Sequence, residues 1–274
     1  DVLAALKGTD KVLLDTVMQP EVLEQQMQQI NDIYFKVFDE LYDIIREGDE
    51  MAFCYFSSWA PGKMSKLQSD ISTMISEDDY RRFVQPFIRE QCQKIDYTLY
   101  HLDGVGAMHH LPALLEIEEL NAIQWTPGVG EPQGGSPKWY DLYKKILAGG
   151  KSIMACWVTL DELKPLLDNI GADGVHLEMD FHNEQEVEQA MRIVEESSSS
   201  SPAASKESLS KEEAAATKQE TIIIKSPEAA EDEALKPLFN AIVDGKLEPA
   251  VEVTKKAIAE GIQPQEIINN YMIK

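Results

Sequence analysis

The chain has 274 residues, 43% of them hydrophobic, and its 48 acidic against 25 basic side chains give a formal charge of -23. So negative a surface repels phosphate backbones, which excludes nucleic acid as a partner and fits a solvated acidic exterior. The length suits one large domain plus a small one. No apolar run approaches the roughly 20 residues that cross a bilayer, so no membrane partner is expected.

No basic segment followed by an apolar one marks a secretory leader. The sequence opens at Asp1-Val2-Leu3 without methionine, from which a removed start is expected. Cys54, Cys92 and Cys156 are odd in number and far apart. They make neither a disulfide framework nor a CxxC knuckle and suit a reducing, cytoplasmic setting.

In chain order, Leu23, Met27, Ile30, Tyr34, Val37, Phe38, Leu41 and Ile45 recur at helical spacing behind Pro20 and predict a long amphipathic helix to about Arg46. Met51 to Ser57 reads as a buried strand. Ser76 with Asp79 resembles a capping box for a helix through Phe83, Val84, Phe87 and Ile88, which Pro86 should kink. Tyr97 to Leu102 is the next strand, with a short helical piece around Leu111 to Ile117 after it. Asn121 to Thr126 is a third strand, followed by a Gly/Pro-rich loop and a helix carrying Trp139, Leu142, Tyr143, Ile146 and Leu147 that stops at Gly149-Gly150.

Ser152 to Trp157 is a fourth strand. Thr159 and Glu162 make a capping box for a helix with Leu163, Leu166, Leu167 and Ile170. Gly174 to Met179 is the fifth strand, and Asn183 with Glu186 starts a helix through Val187, Ala190, Met191 and Val194. Five strand-then-helix units in tandem argue for an α/β fold with a parallel sheet. A doubly wound sheet remains open as an architecture, but no Gly-rich phosphate loop follows any strand. A (β/α)8 barrel needs eight units, so on that reading the chain holds a partial TIM barrel of about five, with about three lacking on the N-terminal side.

Composition changes at Ser197. The serine-, alanine-, lysine- and glutamate-rich stretch reads as a flexible linker over 197–233, interrupted by the apolar Ile222 to Ile224. The barrel part is then 1–196. Leu235, Leu238, Phe239, Ile242 and Val243, then helices opened by Pro249 and Pro264, make a small all-α segment over 234–274. It stops in the middle of an element, so a continuation is expected.

His101 and Asp103 end an apolar strand just before Gly104, and period two puts them on one side. An imidazole and a carboxylate so placed can ligate a divalent metal or work as base and orienting carboxylate; alternatively they cap the next helix. His109 and His110 fall on the following helix or loop. Glu178, Asp180 and His182 repeat the period-two pattern at the fifth strand's end, where Asp180 is a candidate third ligand or part of a solvated loop. Trp59, Trp125 and Trp157 stand at strand ends, where they either wall a substrate cavity or pack. Cys156 reads as a small core residue.

The motifs Ser58-Trp59-Ala60-Pro61-Gly62, Leu67-Gln68-Ser69-Asp70, Met74-Ile75-Ser76, Val84-Gln85-Pro86, His101-Leu102-Asp103-Gly104 and Ala122-Ile123-Gln124-Trp125-Thr126-Pro127-Gly128 resemble, in that order, the uroporphyrinogen decarboxylase family. The likeness is to its corrinoid-dependent methyltransferase members and runs from about Gln19 to Glu195, the later part of their barrel. The tail, with Asp244-Gly245, Ala250-Val251, Ala257, Glu260-Gly261-Ile262, Pro264 and Ile267-Ile268-Asn269, is similar to the helical cap before a cobalamin-binding domain, whose DxHxxG cobalt-ligating loop would lie beyond Lys274.

The resemblance implies methyl transfer between a small methylated substrate and cobalamin on a corrinoid protein or domain, the tether raising effective concentration. It also implies a zinc site, because the corresponding strand of those relatives ends in His-x-Cys. His101 matches the histidine and Asp103 replaces the cysteine, a harder donor. Asp70 falls in a carboxylate region of the family and is the candidate acid/base. Two other readings accompany this one, decarboxylation of a porphyrinogen and a non-catalytic module that binds a corrinoid protein. With barrel strands and the carrier's cofactor half missing, little activity is expected of the chain alone.

Overall fold

The structure, a computed structural model, describes residues 1–53, 56–199 and 256. The chain divides into two units, Asp1–Lys206 and Glu207–Lys274, and every element named below belongs to the first. The expected linker beyond Ser199, the Ile222 to Ile224 patch and the helical segment 234–274 lie outside the described residues, as does Cys54.

Three helices come first: α1 (Val2–Lys7), α2 (Thr9–Met18) and α3 (Pro20–Ile45), the last with Pro20 in its first turn as its sequence predicts. An antiparallel hairpin follows, β1 (Met51–Phe53) on β2 (Ser58–Ala60), with Ala52 opposite Trp59. The main sheet is parallel and runs in sequence order: β3 (Met64–Gln68), β4 (Tyr97–Asp103), β5 (Ala122–Thr126), β6 (Ser152–Ala155) and β7 (Val175–Leu177). Its connections carry α4 (Glu77–Phe83) and α5 (Gln85–Lys94), then α6 (Leu111–Leu115), α7 (Tyr140–Ala148) and α8 (Leu160–Ile170), and α9 (Glu184–Ser199) follows the last strand. A doubly wound sheet reverses its strand order part-way. This one does not, so its order is compatible with consecutive barrel strands.

The first parallel strand is not Met51 to Ser57 but β3. Ser57, at φ 49°, turns the chain back, so the apolar run becomes a short hairpin instead of one long strand. Pro86 ends up in the first turn of α5, and the anticipated kink is a full break at Val84 between α4 and α5. The Ser76 hydroxyl accepts from the Asp79 amide, and both halves of the Thr159/Glu162 capping box are made. Ser197 and Ser198, read as the start of the linker, continue α9 with their hydroxyls donating to the Ile193 and Val194 carbonyls.

The two faces of the sheet differ. Leu67, Tyr100, Leu102, Ile123, Trp125, Ile153 and Ala155 point outward into the main core with α4 to α9. Met64, Leu99, Met154 and Cys156 point inward and pack with Met51, Phe56 and Ala60 of the hairpin and Tyr42 of α3. The inward face is apolar at the N-terminal ends of the strands and polar at their C-terminal ends, where Gln68, His101, Asp103, Gln124 and Thr126 stand. Parallel strands covered on both sides are normally apolar throughout, so the polar end marks the place where the sheet meets something other than core. Among the described residues no helix is long and apolar enough to cross a membrane.

Candidate metal centre

Asp70, His101 and Asp103 converge. Each offers a ligand atom, and the three atoms lie within 4.8 Å of one another. His101 and Asp103 arrive on β4, two residues apart and hence on the same face. Gly104, at φ 76°, turns the chain away at once and donates its amide to the Thr126 carbonyl at 2.7 Å. Asp70 comes from the neighbouring strand: it opens a 3-10 segment, Asp70–Met74, directly after β3.

That segment is tied down from several sides. The Asp1 carboxylate accepts from the Asp70 and Ile71 amides, each at 3.1 Å. His110 Nε2 bonds the Ser72 carbonyl at 2.8 Å, and His109 Nε2 bonds that of Ile75 at 3.1 Å. The two adjacent histidines therefore stand outside the converging group, as expected, and act on it by anchoring the turn that carries Asp70. His110 stacks on Tyr80 with ring centroids 4.3 Å apart, and burial lowers its pKa.

Within the group, His101 Nε2 lies 3.9 Å from Asp103 Oδ2, too far for a hydrogen bond. Its other ring nitrogen, Nδ1, is hydrogen-bonded to Gln124 Oε1, which stands directly opposite on β5. Phe56 covers the imidazole at a centroid distance of 5.4 Å. Asp70 accepts from Gln68 Nε2 at 2.8 Å. The nearby cation is Lys66, bonded to Gln68 Oε1 and 5.6 Å from the Phe56 ring centre. Burial lowers the Lys66 pKa, and the attraction of Asp70 and Asp103 partly restores it.

One imidazole nitrogen and two carboxylate oxygens, with a lysine alongside, suit a hard or borderline divalent ion. Ligand atoms sharing one zinc at about 2.1 Å stand about 3.4 Å apart in tetrahedral geometry, so 3.9 Å is a small rotamer adjustment away. The chemistry and placement of the donors therefore fit a metal. Asp180 is exposed beyond β7 and is not one of the three converging residues.

The three tryptophans stand in three different surroundings, not around one cavity. Trp59, 58% exposed on β2, lines a cavity of about 370 Å³ with Met64, Tyr97, Ala122 and Ser152, at the N-terminal ends of the strands and opposite to His101 and Asp103. Trp125 is fully buried on the outward face and meets Trp139 edge-on at 5.1 Å. Trp157 sits just past the C-terminal end of β6, 45% exposed, with a positive φ of 55°.

Sequence reasoning missed Lys66, Gln68 and Gln124. The signal was a polar residue at the inward phase of a strand, Gln124 between Ile123 and Trp125. Cys156 is wholly buried, as its small-core reading expects, yet it also takes part in the polar network: Gln124 Nε2 donates to its sulfur at 3.1 Å. Compared with known proteins, the chain matches no family model, no curated protein and no solved structure.

Proposed function

We propose that the described unit is the later part of a (β/α)8 barrel of the uroporphyrinogen decarboxylase type, acting in the cytoplasm in corrinoid-dependent methyl transfer. Asp70, His101 and Asp103 would hold a divalent metal, zinc first. The observation that carries the reading is their convergence at the C-terminal ends of β3 and β4, the end at which barrel enzymes keep their chemistry. A metal bound there supplies Lewis acidity, polarising a small methylated substrate or the thiol that takes up its methyl group.

The chain's own residues do the rest. His101 Nε2 and the two carboxylates fix the site, Lys66 offsets their charge, and Phe56 keeps water from one side of the imidazole. No loop of this chain matches the DxHxxG motif that ligates cobalt, so the corrinoid belongs to a partner protein or domain.

Decarboxylation of a porphyrinogen is the weaker reading on electrostatic grounds. Such a polycarboxylate needs cations, whereas Asp70, Asp103, Glu178 and Asp180 crowd this end of the sheet. The experiment is metal analysis of the purified protein and of His101→Ala, with methyl transfer to cob(I)alamin followed by absorbance over a panel of methylated thiols, amines and methanol. About one metal per chain and transfer in the wild type, both lost in the variant, support the reading. Unchanged metal content and transfer in His101→Ala refute it, and carbon dioxide release from uroporphyrinogen would favour the other.

A further inference from the structure

We propose that Gln124 is a positioning residue that fixes the tautomer of His101, holding the ring proton on Nδ1 and leaving the lone pair on Nε2, the atom that faces Asp103. The inference goes beyond the methyl-transfer reading, and rests on it only for the use to which Nε2 is put.

The argument is an account of donors and acceptors. Gln124 Nε2 has two acceptors in reach, Thr126 Oγ1 at 2.8 Å and Cys156 Sγ at 3.1 Å. Period two puts Thr126 on the same face of β5, and Cys156 lies two residues beyond Met154, the partner of Gln124 on β6. Burial pushes the Cys156 thiol up to about 12, so it keeps its proton. The Gln124 amide turns its NH2 to Thr126 Oγ1 and Cys156 Sγ, which take up both of its hydrogens. With the amide so oriented, Oε1 points at His101 Nδ1, which must carry hydrogen to bond it.

The donors therefore point the same way across the sheet, from His101 on β4 through Gln124 on β5 to Cys156 past β6. A free histidine side chain prefers its proton on Nε2. Here the relay holds the opposite tautomer in advance, as the outer partners of ligating histidines generally do.

The test is a two-bond proton–nitrogen correlation spectrum of the metal-free, nitrogen-15-labelled protein at pH 8.5, with His101 assigned by its loss in His101→Gln. The expected pattern for His101 is that of the Nδ1–H tautomer in the wild type and in Gln124→Glu, which keeps an acceptor. Gln124→Met shifts it toward Nε2–H and weakens zinc binding about 10- to 100-fold. An Nε2–H pattern in the wild type overturns the proposal without any variant having to fold, and an unchanged Nδ1–H pattern in Gln124→Met overturns it as well. A protein that shows the expected tautomers but neither holds a metal nor transfers methyl groups leaves this inference standing and refutes the functional reading alone.

Discussion

Replacing Gly134 by alanine should destabilise the fold by about 3 kcal/mol through a single contact. Gly134 lies in the loop after β5, with its amide donating to the Cys156 carbonyl at 3.1 Å and its carbonyl accepting from the Tyr143 hydroxyl at 2.7 Å. A Cβ at this position would stand 2.5 Å from the Cys156 oxygen and 2.9 Å from its nitrogen, both backbone atoms. Its φ is not in the left-handed region, so the steric contact alone carries the cost. To reach ordinary contact the loop must retreat by about 1 Å, which stretches both hydrogen bonds and leaves a buried carbonyl short of a partner, at about 1 to 3 kcal/mol. With a urea slope of about 2 kcal/mol/M, the unfolding midpoint should fall by about 1.5 M. Gly130→Ala is the control: φ is 86° but nothing lies within 4 Å of the added carbon, so only backbone strain of about 1 kcal/mol remains. Should Gly134→Ala unfold at the wild-type midpoint, or no earlier than Gly130→Ala, the packing argument is wrong.

Trp125→Ala should cost about 3 to 5 kcal/mol in urea unfolding, because a fully buried indole against Trp139 is removed from the main core. Trp157→Gly should stay within about 1 kcal/mol of wild type in the same assay, relief of the positive φ offsetting the half-buried ring. Asp103→Cys turns the donor set softer and should raise zinc over manganese occupancy when both compete for the metal-free protein, read by elemental analysis. Stability should fall as pH drops below about 6.5, the unfolded value for histidine, because the folded state lowers the His110 pKa by burial and so binds fewer protons than the unfolded chain. His176, also lowered by burial, adds to this, whereas Glu90, Glu116 and Glu119, which are lowered too, act only nearer their unfolded value of about 4.5. Urea midpoints at pH 7.5 and 5.5 should therefore differ less in His110→Gln than in the wild type.

The elements that could be read in advance were those whose signal is local. The capping box at Thr159, the glycine stop after α7 and the helix opened by Pro20 each depend on residues a few positions apart, and the structure keeps all three, although Val37, Leu41 and Ile45 of the α3 stripe are exposed. Helices α1 and α2 escaped because Leu6, Leu14, Val17 and Met18 face outward, so no continuous inward stripe fixes a phase. Strand β3 escaped for a related reason. Its inward residues beyond Met64 are Lys66 and Gln68, and a strand whose inner face is polar lacks the apolar alternation by which strands are recognised. The neighbouring run Met51 to Ser57 had the better pattern and was read in its place.

The same property explains why His101 and Asp103 were visible while Gln124 was not. An imidazole and a carboxylate are reactive wherever they stand, and their spacing on one strand settles that they share a face. A glutamine carries no chemistry of its own; what it does at position 124 depends on having His101 directly opposite on β4 and Cys156 diagonally across, just past β6, and register between strands is not written in any one of them. Asp70 joins the group by the same route, through the parallel pairing that sets Gln68 opposite His101. The polar positions Lys66 and Gln68, which blurred the pattern of β3, and Gln124 are thus the ones gathered around the converging side chains. Local rules fail here because the inward face stops serving the core and starts serving the site.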